Sequence, residues 1–148
     1  MKVNGLELPD ALVETLQDGS WTWEGAKAYR HWKVPAHIAL FGSVFPRVPN
    51  PDPELYSFES MVRESRFWQD PEDHKYYLGC PSDAYPPGDV DPKKAVIIGD
   101  TAPDGPIVLD YRVDPPRVIY LCDVGHVLFW VTAAQDVEAL IEALELRR

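Results

Sequence analysis

The sequence predicts an α+β fold: a central antiparallel meander with helices packed on it and a helix at its C-terminal end. Three observations carry this. Between Ala95 and Val131 four short apolar runs follow one another, and their connections are too short to return a strand parallel to its neighbour. An amphipathic helical pattern follows the last run. Helical patterns upstream are segregated from the strands instead of alternating with them, which separates α+β from α/β. A length of 148 residues fits one domain over residues 1–148. A chain of that size buries enough surface to need neither a disulfide nor a structural metal.

In chain order, Leu8 to Leu16 reads as a short helix. Pro9 stands in its first turn, where a missing N–H costs nothing, and Asp18-Gly19 stops it. Residues 21 to 33 carry Trp21, Trp23, Tyr29 and Trp32, with a second short helix as the expected use. Val34 to Pro53 holds five prolines and reads as a wandering connection that cannot be regular helix throughout. Ser57 is the expected N-cap of a helix with Phe58, Met61 and Val62 on one face, running to about Trp68 before Asp70-Pro71 breaks it. Residues 76–80 look like a first strand, and Pro81 to Pro92 is a loop. Strands are then expected at 95–99, 106–111, 117–122 and 127–131. Thr132-x-x-Gln135 reads as a capping box opening a helix at about 133–146, with Val137, Leu140, Ile141 and Leu144 on its buried face.

Composition narrows the function. Apolar residues make up 45% and charged residues 26%, within the globular range. No apolar run reaches membrane-spanning length, and Met1 to Gly5 lacks a secretory h-region, so the expected location is the cytoplasm. The formal net charge of −10 opposes a phosphate backbone and argues against nucleic-acid binding. The charge is concentrated: residues 50–114 carry 14 acidic and 6 basic side chains, a field that steers cationic partners.

Motifs for chemistry are sparse. Cys80 and Cys122 stand alone in apolar contexts that favour inert thiols, and four histidines (31, 37, 74 and 126) are scattered singly. Neither Asp70-x-x-Asp73-His74 nor the pair Asp100 and Asp104 has the spacing of a calcium loop or a zinc site. There is no Gly-x-Ser-x-Gly, phosphate-binding glycine loop or dinucleotide fingerprint. No catalytic residue, metal or cofactor is expected.

The order of Ile98-Gly99, an acidic turn holding Gly105, Leu109-Asp110, Val118-Ile119-Tyr120 and a terminal amphipathic helix resembles the SUKH superfamily of Smi/Knr-like proteins. Leu8-Pro9 with Asp18-Gly19 is similar to the leucine-proline motif near that family's start. The resemblance implies a non-enzymatic protein-binding module. In bacteria this is an immunity protein that neutralises a toxin domain, often a nuclease; the alternative is a regulatory scaffold of the Smi/Knr type that holds a cellular protein. A basic nuclease domain is the toxin partner that the negative charge fits. Loop residues Asp83, Tyr85, Asp89, Asp91, Asp100 and Asp104 are the candidate partner-binding rim. Aspartate favours turns and solvent in any case, so an exposed aromatic or arginine anchor decides between a binding rim and ordinary loops.

Overall fold

The computed structural model describes residues 1–22, 35–49 and 51–146. It opens with a hairpin of β1 (Lys2–Val3) and β2 (Leu6–Glu7), closed by Asn4-Gly5 with both residues at positive φ, as a type I′ turn demands. Helix α1 (Asp10–Asp18) buries Leu12 and ends at left-handed Gly19. Helix α2 spans Pro35–Val44 and is followed by β3 (Glu54–Leu55). Helix α3 (Phe58–Phe67) starts at Ser57, whose side chain accepts from the Ser60 N–H, and the single turn α4 (Pro71–His74) starts at Asp70, which accepts from Glu72. Strand β4 (Pro87–Gly88) precedes a 3-10 turn at Pro92–Lys94. The meander follows: β5 (Ala95–Asp100), β6 (Pro106–Asp110), β7 (Arg117–Val124) and β8 (Val127–Ala134). Helix α5 (Val137–Ala143) closes the described chain.

The six-stranded sheet has the order β3-β5-β6-β7-β8-β4, antiparallel throughout. Its four long strands match the expected ones, and each edge carries an additional two-residue strand. The helices expected after Pro9, after Ser57 and at the C-terminal end are also present, and three other expectations need correction. Residues 76–80 contribute only an isolated bridge, Gly79 to Asp89. The proline-rich connection contains a ten-residue helix, because Pro35 sits at its start and the next proline is Pro46. Thr132 and Gln135 form no capping box: β8 continues through Ala134, and the Asp136 carboxylate caps α5 by accepting from the Ala139 N–H at 2.8 Å. The helix expected over residues 21–33, with Trp23, Tyr29 and Trp32, lies outside the described residues, whereas Trp21 is buried and donates to the Tyr56 carbonyl.

Both faces of the sheet are covered. On one, Val96, Ile98, Ile107, Leu109, Val118 and Tyr120 pack with Leu12 of α1, Phe41 of α2, Met61 of α3 and Val137, Leu140 and Ile141 of α5. On the other, Ile97, Val108, Ile119, Leu121 and Trp130 pack under Trp68, Val90, Tyr77 and Leu78. At the β5 edge a bulge at Ile98 shifts the register, and the Ile97 N–H donates to the Ser65 hydroxyl of α3 at 3.0 Å instead of to a neighbouring strand. A β-carbon on Gly99 would collide with the Glu54 carbonyl, so glycine there lets β3 approach.

Candidate partner-docking surface

The six rim candidates do not converge. Asp100 and Asp104 belong to the β5–β6 end beside β3, one edge of the sheet, whereas Asp83 and Tyr85 precede β4 at the opposite edge. Three of the carboxylates are engaged within the molecule. Asp89 accepts from Arg112 at 2.8 Å, and Arg112 also grips the Asp89 carbonyl and the buried Asp110. Asp91 caps the 3-10 turn by accepting from Lys93 N–H. Asp100 accepts from the Tyr56 hydroxyl at 2.8 Å. Asp83 and Asp104 are exposed, the latter in a left-handed turn position.

Electrostatics sharpen these roles. Burial raises the Asp100 carboxyl to about 6; the Tyr56 hydrogen bond opposes that rise, and Glu54 and Asp52 add to it. Burial also pushes the Asp110 carboxyl upward, but hydrogen bonds from Arg112 and Arg117 outweigh it and hold the group below the usual carboxylate range. Asp110 is 1% exposed, and its two arginine partners fasten the β6 and β7 ends to the loop after β4. Those groups are structural ties.

Tyr85 is the rim residue with a binding geometry. Its N–H donates to Ser82 at 3.0 Å, which folds the loop back, and its ring stacks on Phe129 of β8 with centroids 5.2 Å apart and planes 27° apart. The Arg47 guanidinium lies over the same ring, 5.0 Å from its centroid. Arg47 owes its place to the core: Phe45 packs edge-on against Tyr120, and the Tyr120 hydroxyl donates to the Pro46 carbonyl at 2.6 Å. Arg47, Tyr85 and Phe129 thus form a layered stack from three distant segments. Sequence reasoning identified Tyr85 and missed Arg47 and Phe129, since no local pattern links them.

Beside the stack, an open groove of about 540 Å³ runs between residues 47–49 and the β7–β8 turn, lined by Arg47, Val48, Pro49, Asp123, Gly125 and His126. A second apolar strip lies along α3, where Phe67 is 58% exposed near Phe58 and Val62, with charged residues of both signs around it. Cys122 is buried, with its thiol pushed up by that burial; Cys80 is exposed. Among the described residues no group of three His, Cys, Asp or Glu side chains is placed to hold a metal, and no helix is long and apolar enough to cross a membrane. In comparisons with known proteins, no family model, no curated protein and no solved structure matches this chain.

Proposed function

We propose that the chain is a non-enzymatic protein-binding module of the immunity type, which blocks a basic bacterial toxin domain by covering its working surface. The observation that carries this reading is the Arg47-Tyr85-Phe129 stack, with Tyr85 half-buried at the sheet edge and Asp83 exposed close by in the same loop. Interface hot spots are enriched in tyrosine, tryptophan and arginine, and an arginine already seated on a ring loses less freedom on binding. The net charge of −10 supports the choice of a basic partner, because complementary fields raise the encounter rate.

The test uses the purified product of the neighbouring gene and follows association on a surface at low and high salt. The expected on-rate falls steeply with salt while the off-rate changes less. Tyr85→Ala is expected to speed dissociation by about tenfold or more, as loss of a hot spot does. Neutralising exposed Asp83 should slow association, whereas neutralising Asp10, on α1, should matter less. A demonstrably toxic neighbour that does not bind would overturn the immunity reading and favour the regulatory scaffold.

A further inference from the structure

We propose that the groove beside the stack seats a carboxylate of the partner, with Arg47 as the residue that receives it and Asp123 as the residue that requires a cation next to it. This inference rests on the protein-binding reading and names what the binding face reads. Arg63, Arg112 and Arg117 each have a carboxylate partner within the molecule. Neither Arg47 nor Arg66 has one among the described residues, and of the two only Arg47 is held over an aromatic ring, that of Tyr85. A guanidinium held over a ring and paired with no carboxylate keeps N–H donors for a further acceptor, and a carboxylate can take two of them in parallel.

The backbone supports the same assignment. Arg47 sits at φ 69°, a left-handed conformation that a non-glycine residue keeps only where its surroundings impose it. Here the Pro46 carbonyl, fixed by Tyr120, and the Tyr85 ring do so. Across the groove His126 also stands at φ 69°, in the two-residue turn that joins β7 to β8. Two left-handed residues therefore bring an arginine and an imidazole to one cleft, whose remaining walls include Val48, Pro49 and Asp123.

Asp123 and the net charge of −10 select the ligand. A free anion approaches against the field of the whole chain and meets Asp123 in the groove. An acid next to a lysine or arginine on a basic surface avoids both penalties, because its basic neighbour is drawn by that field and pairs with Asp123. The groove thus reads an acid-base pair.

The experiment is an NMR titration of the full chain at constant ionic strength with three probes: N-acetyl-Glu-Lys-amide, N-acetyl-Glu-amide and inorganic phosphate. The expected result is saturable shifts at Gly125, His126 and the Arg47 side chain, strongest with the Glu-Lys probe. Arg47→Gln should weaken that binding at least about tenfold, the loss of a charge-assisted bidentate contact, and Arg47→Lys should restore only part of it. Asp123→Asn should remove the preference for Glu-Lys over Glu alone. Absence of saturable shifts with the glutamyl probes, equal binding to Arg47→Gln, or binding of phosphate alone overturns the assignment. If partner association survives Arg47→Gln but is lost in Tyr85→Ala, the protein-binding reading stands and the carboxylate site falls. If the Glu-Lys probe binds as expected while the toxin does not, the groove stands and the immunity reading falls.

Discussion

On one face of the sheet Ile98, Ile107, Leu109, Val118 and Tyr120 lie beneath helices α1, α2 and α5; on the other, Ile97, Val108, Ile119 and Leu121 lie beneath the loop-rich segment from the end of α3 to Val90, which contributes Trp68, Tyr77, Leu78 and Val90. The helical layer spreads its packing over several elements, through Leu12, Phe41, Phe45, Met61, Val137, Leu140 and Ile141. The loop layer is held by two indoles, Trp68 edge-on against Trp130 with centroids 5.5 Å apart, and by the Trp130 ring N–H donating to the Tyr77 carbonyl. The difference teaches that a segment with little regular structure covers a sheet through few large contacts, at the cost of concentrating the cover in few residues.

The largest effect expected from this contrast is at Trp130. Trp130→Ala should destabilise by about 3 to 5 kcal/mol in a urea titration, through the cavity and through the Tyr77 carbonyl left without its donor. Limited proteolysis should then cut first between residues 76 and 86, since the loop has lost its anchor. Cleavage beginning in the helical layer would break the comparison. Leu140→Ala comes next, at about 2 to 5 kcal/mol, because Leu140 is fully buried between α5 and the sheet. In that variant the loop layer should keep its protease resistance until global unfolding.

The smallest effect is at the β3 edge and depends on pH. The Asp100 carboxyl stands at about 6 in the folded protein, above its unfolded value, so the folded state binds more protons between the two. Its contribution to stability is therefore greatest in acid and is lost as pH rises through about 6. Asp100→Asn keeps an acceptor for the Tyr56 hydroxyl and removes the repulsion from Glu54 and Asp52. It should stabilise the protein at pH 7.5 by on the order of 1 to 3 kcal/mol and flatten the stability profile between pH 5 and 7. An unchanged profile in thermal melts would show that the charge on Asp100 is relieved elsewhere.

What was legible in the sequence follows the same division. The four long strands and the buried face of α5 could be read because alternating or near-continuous apolar runs and i, i+3, i+4 spacing express burial directly. Helix α2 could not, because its apolar residues Ala36, Ile38, Ala39, Leu40, Phe41 and Val44 mark no single face and sit in a proline-rich stretch. Strands β3 and β4 are two residues each and contain or adjoin proline, too short for any period. Asn4-Gly5 is a hairpin-turn dipeptide, but the strands on either side are two residues each, too short for an alternating pattern. At the candidate site, Tyr85 was legible as an aromatic in an acidic loop. The fates of Asp89, Asp91 and Asp100 were not, since their partners Arg112, Lys93 N–H and Tyr56 are chosen by tertiary geometry or local backbone turns.

The bond from Ile97 to Ser65 bears on the exposure of a strand edge. Among the described residues no strand pairs with the flank of β5 beyond β3, and α3 lies there with one hydroxyl meeting the backbone. When α3 lifts away, β5 presents Ala95-Val96-Ile97-Ile98 as an apolar strand with an open hydrogen-bonding edge, the form that templates intermolecular sheets. Solubility during folding therefore depends on how soon α3 docks relative to the closing of the meander. A ten-residue helix at the sheet edge opposite β4 thereby covers a strand edge able to template aggregation.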